Sequence, residues 1–430
     1  MQKCAVFVTA LVYVKRRKIM AVIKAFRCVH PAEGLAAQIA ALPYDVYSRQ
    51  EATKQVEKAP LSFLRIDRAE TQFGEDMDIY APEVYQKAHD MLHGMIADGS
   101  FVEEAQEFYY LYELTMEGRS QTGLVACASV DDYLNNVIKK HENTTEEKEL
   151  DRIRHVDVCD AQTGPIFLAY RSQESIRTIT AEVKKGTPMF DFVSEDGIGH
   201  RGWCIQNPEY AAKISEAFAS MKELYIADGH HRAASAVKVG LKRRSEHPNY
   251  DGSEEFNYFL SVLFPDDELL IMDYNRVVKD LKGQTEEEFL EKVQRVFEME
   301  KREAQYRPEK KGTFGMYISG QWYKLTAKEE LISKDPVEGL DVSYLQRELL
   351  KPYLNILNPK TCHRIEYIGG IRGLSELEKR VDEGCAVAFS MYPTTIGELF
   401  DVADAGKLMP PKSTWFEPKL RSGLFIHKIG

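Results

Sequence analysis

The sequence predicts a mixed α/β (α+β) fold divided over several domains, and three observations predict it. The chain has 430 residues, more than one hydrophobic core accommodates, which sets a prior of about three domains at roughly 150 residues each. Hydrophobic residues make up 44% and charged residues 29%, the balance of a globular protein and not of a fibre or a disordered chain. Apolar runs of strand character alternate with segments of helical period along the length, so strands and helices are intermixed.

Taken in order, residues 4–14 form an apolar run too short to span a bilayer. The basic cluster Lys15-Arg16-Arg17-Lys18 follows that run instead of preceding it, the wrong order for a secretory signal. Met20 opens a cleaner strand at 21–26, so residues 1–19 read as an extension from an upstream start. Residues 20–130 read as an N-terminal α+β domain. Pro43-Tyr44-Asp45-Val46 is a Pro-led turn, and residues 82–98 have helical period, with Tyr85, Ala88, Met91, Leu92 and Ile96 on one face and Pro82 in the first turn. A strand over 109–114, a hairpin turn over 118–123 and a strand over 124–130 follow. Residues 131–283 read as a central domain with strands at 166–170, 223–227 and 258–264 and a helix at 211–221. Residues 284–430 read as a C-terminal α/β domain. Its helices lie at 286–297, 342–353 and 395–405, its strands at 314–317, 322–325 and 364–368, and a proline-rich tail ends it.

Charge and cysteine usage exclude several functions. A formal net charge of -11 argues against broad attraction to nucleic acid, so any bound anion must be met by a local basic pocket. The seven cysteines are scattered and never in CxxC spacing, which favours neither a disulfide framework nor a zinc site and suits a reducing cytoplasm. No membrane segment is expected.

The densest chemistry lies at Ile226-Ala227-Asp228-Gly229-His230-His231-Arg232. An apolar strand runs into Asp-Gly and an Ala-rich helix, expected to end at Gly240, begins directly afterwards. The free amides of such a helix start bind anions. Cations are disfavoured there by the helix dipole, so His230, His231 and Arg232 make most sense with a polyanion between them and the helix end. Arg232 then supplies a fork to phosphate oxygens. An Asp228–Arg232 ion pair with one buried histidine is the plainer reading, and no metal-ligand set is evident.

His141-Glu142-Asn143-Thr144 precedes a second helix, for which Thr144 and Glu147 have capping-box spacing. A carboxylate beside an imidazole on a rigid turn suits a general base, with Glu142 and His141 in that role; an exposed charged helix start fits the same composition. Lys148 and Arg152 share a face at i, i+4 as candidate anion contacts. Thr145 at the place of a second histidine excludes HExxH zinc chemistry. Asp196-Gly197-Ile198-Gly199-His200-Arg201 repeats the Asp-Gly-His-Arg order, as a mobile loop over the site or as a simple turn. Asn275-Arg276 is placed at the end of a strand over 269–274, as a site contact or a surface ion pair, and Lys412 sits with the cations Lys419 and Arg421 in the tail 409–423, which opens Met409-Pro410-Pro411-Lys412-Ser413-Thr414, as a rigid arm near an anion or a docked tail. Walker A and GxSxG signatures are missing, and no GxGxxG is read after a strand.

These motifs resemble the bacterial family catalogued as a domain of unknown function, number 1015, over nearly everything from Met20 onward. More distantly, His141-Glu142, Pro165-Ile166 and Asp228-Gly229-His230-His231-Arg232 resemble, in that order, the ParB/sulfiredoxin superfamily. That resemblance implies a nucleotide-binding central module. His230 stands where sulfiredoxins carry their reactive cysteine, and the acidic balance disfavours ParB-like DNA partitioning. Free-serine kinases of the superfamily place their base at the position of Glu142. The implied function is an ATP- or ADP-dependent, Mg²⁺-assisted phosphotransferase for a small hydroxyl substrate, free L-serine first. The alternative is a nucleotide-binding regulatory or scaffold protein without small-molecule turnover.

Overall fold

Strands apolar along their whole length dictate the centre of the molecule. The computed structural model describes residues 20–430, and the expected extension at 1–19 lies outside the described residues. Ile166–Tyr170, Leu224–Asp228 and Tyr258–Pro265 are buried almost throughout, as strands covered on both faces must be. They lie in a nine-stranded mixed sheet in the order Ile138–Lys139, Leu224–Asp228, Ile166–Tyr170, Tyr258–Pro265, Arg119–Ser129, Tyr109–Met116, Gly199–Ile205, Phe190–Val193, with Ile23–Lys24 also paired to Arg119–Ser129. Alternate side chains feed two cores. Tyr110, Tyr112, Val125, Phe167, Val262 and Phe264 face one core, which continues into the C-terminal part through Phe297, Phe314 and Phe389. Tyr109, Leu111, Leu124, Leu168, Ile226 and Leu263 face the other, closed by helices that carry Ile176, Phe218, Ala233 and Val237.

A six-stranded antiparallel sheet follows in the order Phe297–Arg302, Gln321–Ala327, Thr313–Ile318, Val387–Ser390, Tyr274–Val278, Ile365–Gly369. A four-stranded sheet joins Phe101–Glu103, Cys28–Pro31, Ile426–Lys428 and Ala161–Gln162. These sheets do not coincide with the boundaries expected at 130 and 283. Leu124–Ser129 pairs residue for residue with Tyr258–Leu263, and Tyr274–Val278 belongs to the later sheet, because strand pairing joins segments far apart in sequence.

Local departures have local causes. The hairpin turns at Glu117 and Gly118, both at positive φ, so the strand begins at Arg119 and not at Leu124. The helix after Gly229 runs on past Gly240 to Glu246; a Cβ at Gly240 would lie 2.5 Å from the Phe256 carbonyl oxygen, so this glycine serves close packing. The helix Glu146–Cys159 has Thr145 at its N-cap without a side-chain cap, since the Thr144 hydroxyl donates to Glu149 instead. Asn275 and Arg276 lie inside Tyr274–Val278 and not at a strand's end. No described helix is long and apolar enough to cross a membrane.

Candidate functional site

The strand Leu224–Asp228 delivers Asp228 to a turn that only glycine fits well. Gly229 has φ 87°, and a Cβ there would stand 3.1 Å from Arg232 Nε. The helix His230–Glu246 starts immediately, and no side chain caps it, which leaves its first-turn N–H groups directed at the cleft. Arg232 is fixed from behind, donating to the Pro165 carbonyl at 2.6 Å and standing 3.9 Å from Asp228. Lys419 reaches Asp228 from the other side at 3.4 Å. Burial opposes charge on Asp228, but Lys419, Arg232 and His230 prevail and hold its carboxyl at about 2. The expected ion pair and the expected anion cradle are thus the same residues.

Three histidines surround this turn. His230 is 5% exposed, its ring edge-on to His141 at 4.5 Å between centroids. Each has a buried ring nitrogen without a partner among the described residues, Nε2 of His230 and Nδ1 of His141. Desolvation holds His141 neutral down to about 4 and pushes His230 well below its ordinary value. His231 Nε2 accepts from the Thr145 N–H at 3.1 Å, tying the two helix starts together. Glu142 Oε2 lies 4.0 Å from His230 Nδ1. Desolvation in the cleft, reinforced by Asp228, raises the Glu142 carboxyl above its ordinary value although Lys412, Lys360 and Lys148 oppose it.

The cleft has two lobes of about 450 and 460 Å³. The first opens on the helix start and is lined by Tyr44, Lys148, His231, Arg232 and Lys360 among others. The second contains His141, Tyr274, Arg372, Trp415 and Lys419. Asp45, Glu142, Asp228 and Lys412 border both.

The structure therefore brings together His141, Glu142, Lys148, Asp228, Gly229, His230, His231, Arg232 and Lys412. It does not bring in the remaining candidates. Arg152 is buried against Asp151 at 2.9 Å, its guanidinium 4.1 Å from the centre of the Tyr44 ring; it supports a cleft wall from behind. His200 is fully buried, bonded to Tyr112 at 2.8 Å and Ser194 at 3.0 Å. Arg201 points the opposite way into a surface pair with Asp191 at 2.8 Å. That hairpin contributes only Asp196 to the cleft. Asn275 is enclosed, donating to Asp273 at 2.6 Å and accepting from the Met391 N–H at 2.9 Å. Arg276 is buried and donates to the Lys412 carbonyl at 2.9 Å, so it does not line the cleft itself and acts from behind Lys412, Tyr274 and Tyr367. Sequence reasoning missed Lys360, Asp45 and Lys419. Lys419 had a signal, as one cation of the tail; Lys360 had none. No cluster of three or more His, Cys, Asp or Glu side chains suited to a metal occurs among the described residues.

No curated protein matches the chain. Among solved structures, it is similar to a mutant free serine kinase in complex with ADP, with TM-score 0.34 and 14% identity over 68% of this chain and 87% of that one. It is also similar to C-terminally truncated SbnI from Staphylococcus aureus, with TM-score 0.37 and 13% identity over 68% and 82%. A conserved hypothetical protein from Pyrococcus furiosus matches with TM-score 0.33 and 16% identity over 70% and 93%. The family model described as Protein of unknown function (DUF1015) matches residues 23–343, and the chain belongs to that family.

Proposed function

We propose that the chain is a nucleotide-dependent phosphotransferase acting on a small hydroxyl substrate, with free L-serine the leading acceptor. One observation carries the reading: the Glu142 carboxylate stands where two lobes meet, and one lobe opens on the uncapped start of a long helix. ATP or ADP would lay its phosphates on the N–H groups of His230 to Arg232, where the helix dipole favours negative charge. Arg232 is already oriented by Pro165 and Asp228, so little conformational freedom is lost when it grips a phosphate. Lys148, Lys360 and Lys412 add positive charge on an otherwise acidic protein.

The acceptor would occupy the second lobe with its hydroxyl toward Glu142. Glu142 takes the hydroxyl proton as the acceptor oxygen forms a bond to the terminal phosphorus. The bond to the bridging oxygen breaks and its electron pair leaves with ADP or AMP. A carboxyl raised by its surroundings is a better-matched base near neutral pH than an ordinary one. The side chains around the phosphates also fit Mg²⁺, which takes one or two carboxylates together with phosphate and water oxygens. Asp45 has no hydrogen-bonding side-chain partner among the described residues and borders both lobes, whereas Asp228 is engaged by Lys419. Mg²⁺ would there neutralise charge on the transferring group.

The test is single-turnover transfer from terminally labelled ATP or ADP to L-serine, with nucleotide affinity measured alongside. Glu142→Gln keeps the size of the side chain and removes the base, so transfer should fall about 10²–10⁴-fold while affinity holds. The parent rate should climb with pH through a value above the ordinary carboxylate range, because the raised Glu142 must be deprotonated to act. Equal rates in both proteins remove Glu142 from the mechanism. Nucleotide binding without transfer to any hydroxyl compound favours a regulatory protein instead.

A further inference from the structure

We propose that Lys412 is the catalytic cation that stays with the phosphoryl group as it passes between the lobes, and that Arg276 acts through Lys412 as a positioning residue. The inference rests on the phosphotransferase reading above. Lys148, Arg232 and Lys360 line only the lobe at the helix start, and Arg372 and Lys419 only the other. Lys412 is the one cation among the residues that border both. In-line transfer spreads negative charge over oxygens lying between the donor and acceptor positions, and a cation fixed there stabilises that charge more than the charge of either ground state.

Lys412 is also held in place at evident expense. Its backbone has φ 59°, a left-handed conformation that side chains other than glycine's disfavour and that persists only where the surroundings impose it. Three contacts impose it. Arg276 donates to the Lys412 carbonyl at 2.9 Å, Thr394 donates to the Ser413 carbonyl at 2.9 Å, and the Ser413 hydroxyl donates to the Pro410 carbonyl at 2.7 Å. Arg276 is 4% exposed and has no carboxylate within ion-pair distance among the described residues. Its other hydrogen bond goes to the Tyr274 carbonyl, and the Tyr367 ring lies against it, 5.4 Å from the guanidinium carbon. A guanidinium buried without a counter-charge is expensive to keep, and what this one does is fix two carbonyls, one of them that of Lys412. The ammonium itself stands 5.6 Å from the centre of the Tyr274 ring. Burial works against its charge, yet Tyr274, Glu142 and Asp45 keep it protonated. Lys412 neither gives nor takes a proton in this step. The bond changes are those already stated, with the hydroxyl proton going to Glu142.

The experiment is a double-mutant cycle on the full chain with Lys412→Ala, Arg276→Lys and the pair. It reads single-turnover transfer from terminally labelled ATP to L-serine, ADP affinity by calorimetry, and the thermal midpoint. Lys412→Ala should slow transfer about 10²–10³-fold, the scale of losing one preorganised electrostatic contact, with a much smaller loss of ADP affinity. Arg276→Lys keeps a buried cation but cannot fork to two carbonyls. It should slow transfer while leaving the midpoint and ADP affinity near parent values. The pair should be no slower than Lys412→Ala alone, since a positioning residue has nothing left to position. Equal fractional losses of rate and affinity in Lys412→Ala would make Lys412 a ground-state anchor and overturn the proposal. So would an additive slowing in the pair, or undiminished transfer in Lys412→Ala. If the parent binds ADP and transfers nothing, the phosphotransferase reading itself falls and takes this proposal with it.

Discussion

Asp228-Gly229-His230-His231-Arg232 and Asp196-Gly197-Ile198-Gly199-His200-Arg201 carry the same residue types in nearly the same order, each with its first glycine in the left-handed region, at φ 87° and 78°. Their fates differ because the backbone after the glycine differs. Behind Gly229 a helix begins, successive side chains turn about 100° around its axis, and His230, His231 and Arg232 fan around one helix end into one lobe. Behind Gly197 a strand begins, successive side chains point to opposite faces, and His200 is buried while the Arg201 side chain stays 52% exposed. A motif of chemically apt residues becomes a site only when its local periodicity gathers them. The sequence that follows a motif is therefore as informative as the motif: Ala233 and Ala234 extend a helix, whereas Gly202 and Trp203 continue a strand.

The sharpest way to break this comparison is to remove the two arginines in turn. ADP is expected to raise the melting temperature of the parent, and Arg232→Ala should abolish most of that rise. Charge-assisted hydrogen bonds contribute about 1.5–3 kcal/mol each, which is roughly 10–100-fold in affinity. Arg201→Ala should leave that rise intact and alter stability by about 0.5 kcal/mol or less, as an exposed cross-strand pair allows. A lost ADP response in Arg201→Ala would show that both motifs serve the ligand.

The two glycines give a smaller contrast. Alanine at either position meets an unfavourable φ that costs about 1–2 kcal/mol, visible as a lower urea midpoint. At Gly197 nothing lies within 4 Å of the added methyl, whereas at Gly229 it lies 3.1 Å from Arg232. Gly229→Ala should therefore also weaken ADP binding and Gly197→Ala should not; equal ADP responses would dissociate the turn from the anion cradle.

Acid lability is the property the motifs share. Burial lowers His230 well below its ordinary value and His200 to about 3, and also lowers His141 and His155 to about 4. Histidine in the unfolded chain titrates near 6.5, so below that pH the unfolded state binds more protons than the folded one. The contribution of these residues is fully present above about pH 6.5 and is lost as pH falls toward the folded values. Urea midpoints should fall between neutral pH and about pH 5, and His230→Gln and His200→Gln should each flatten that fall. A midpoint that rises on acidification would contradict the buried neutral rings.

What was legible in the sequence was local. The strand Leu224–Asp228, the turn and the helix start are read from ten consecutive residues, as are the helix Pro82–Ala97 with its leading proline and the helix that begins near Thr395, where the structure shows a capping box with Glu398. Thr144 and Glu147 have the same spacing and form no box, because Glu149 claims the Thr144 hydroxyl while also pairing with Lys238 on the neighbouring helix. A tertiary partner outcompetes a local one, and spacing carries no information about that partner. Lys360 and Lys419 arrive at the cleft from loops more than a hundred residues beyond Asp228, so their roles depend on how separate sheets pack. The merger of 109–129 with 258–265 in one sheet was hidden for the same reason: each strand looks complete by itself, and only its partner is missing from view.

The small sheet that joins Cys28–Pro31 to Ile426–Lys428 has a consequence for how the protein is made. A ribosome releases Cys28 about 400 residues before His427, which at roughly 5–20 residues per second is an interval on the order of 20–80 s. Throughout that interval one edge of Cys28–Pro31 lacks its neighbour, and an unpaired strand edge is a template for the wrong partner. Ala161–Gln162 waits on the same late strand. The segment carrying Lys412 and Lys419 emerges only shortly before, so the cleft cannot be assembled on a partial chain. Yield in the cell should therefore respond to translation speed and to chaperones that shelter nascent chains, even for variants whose finished fold is as stable as the parent's.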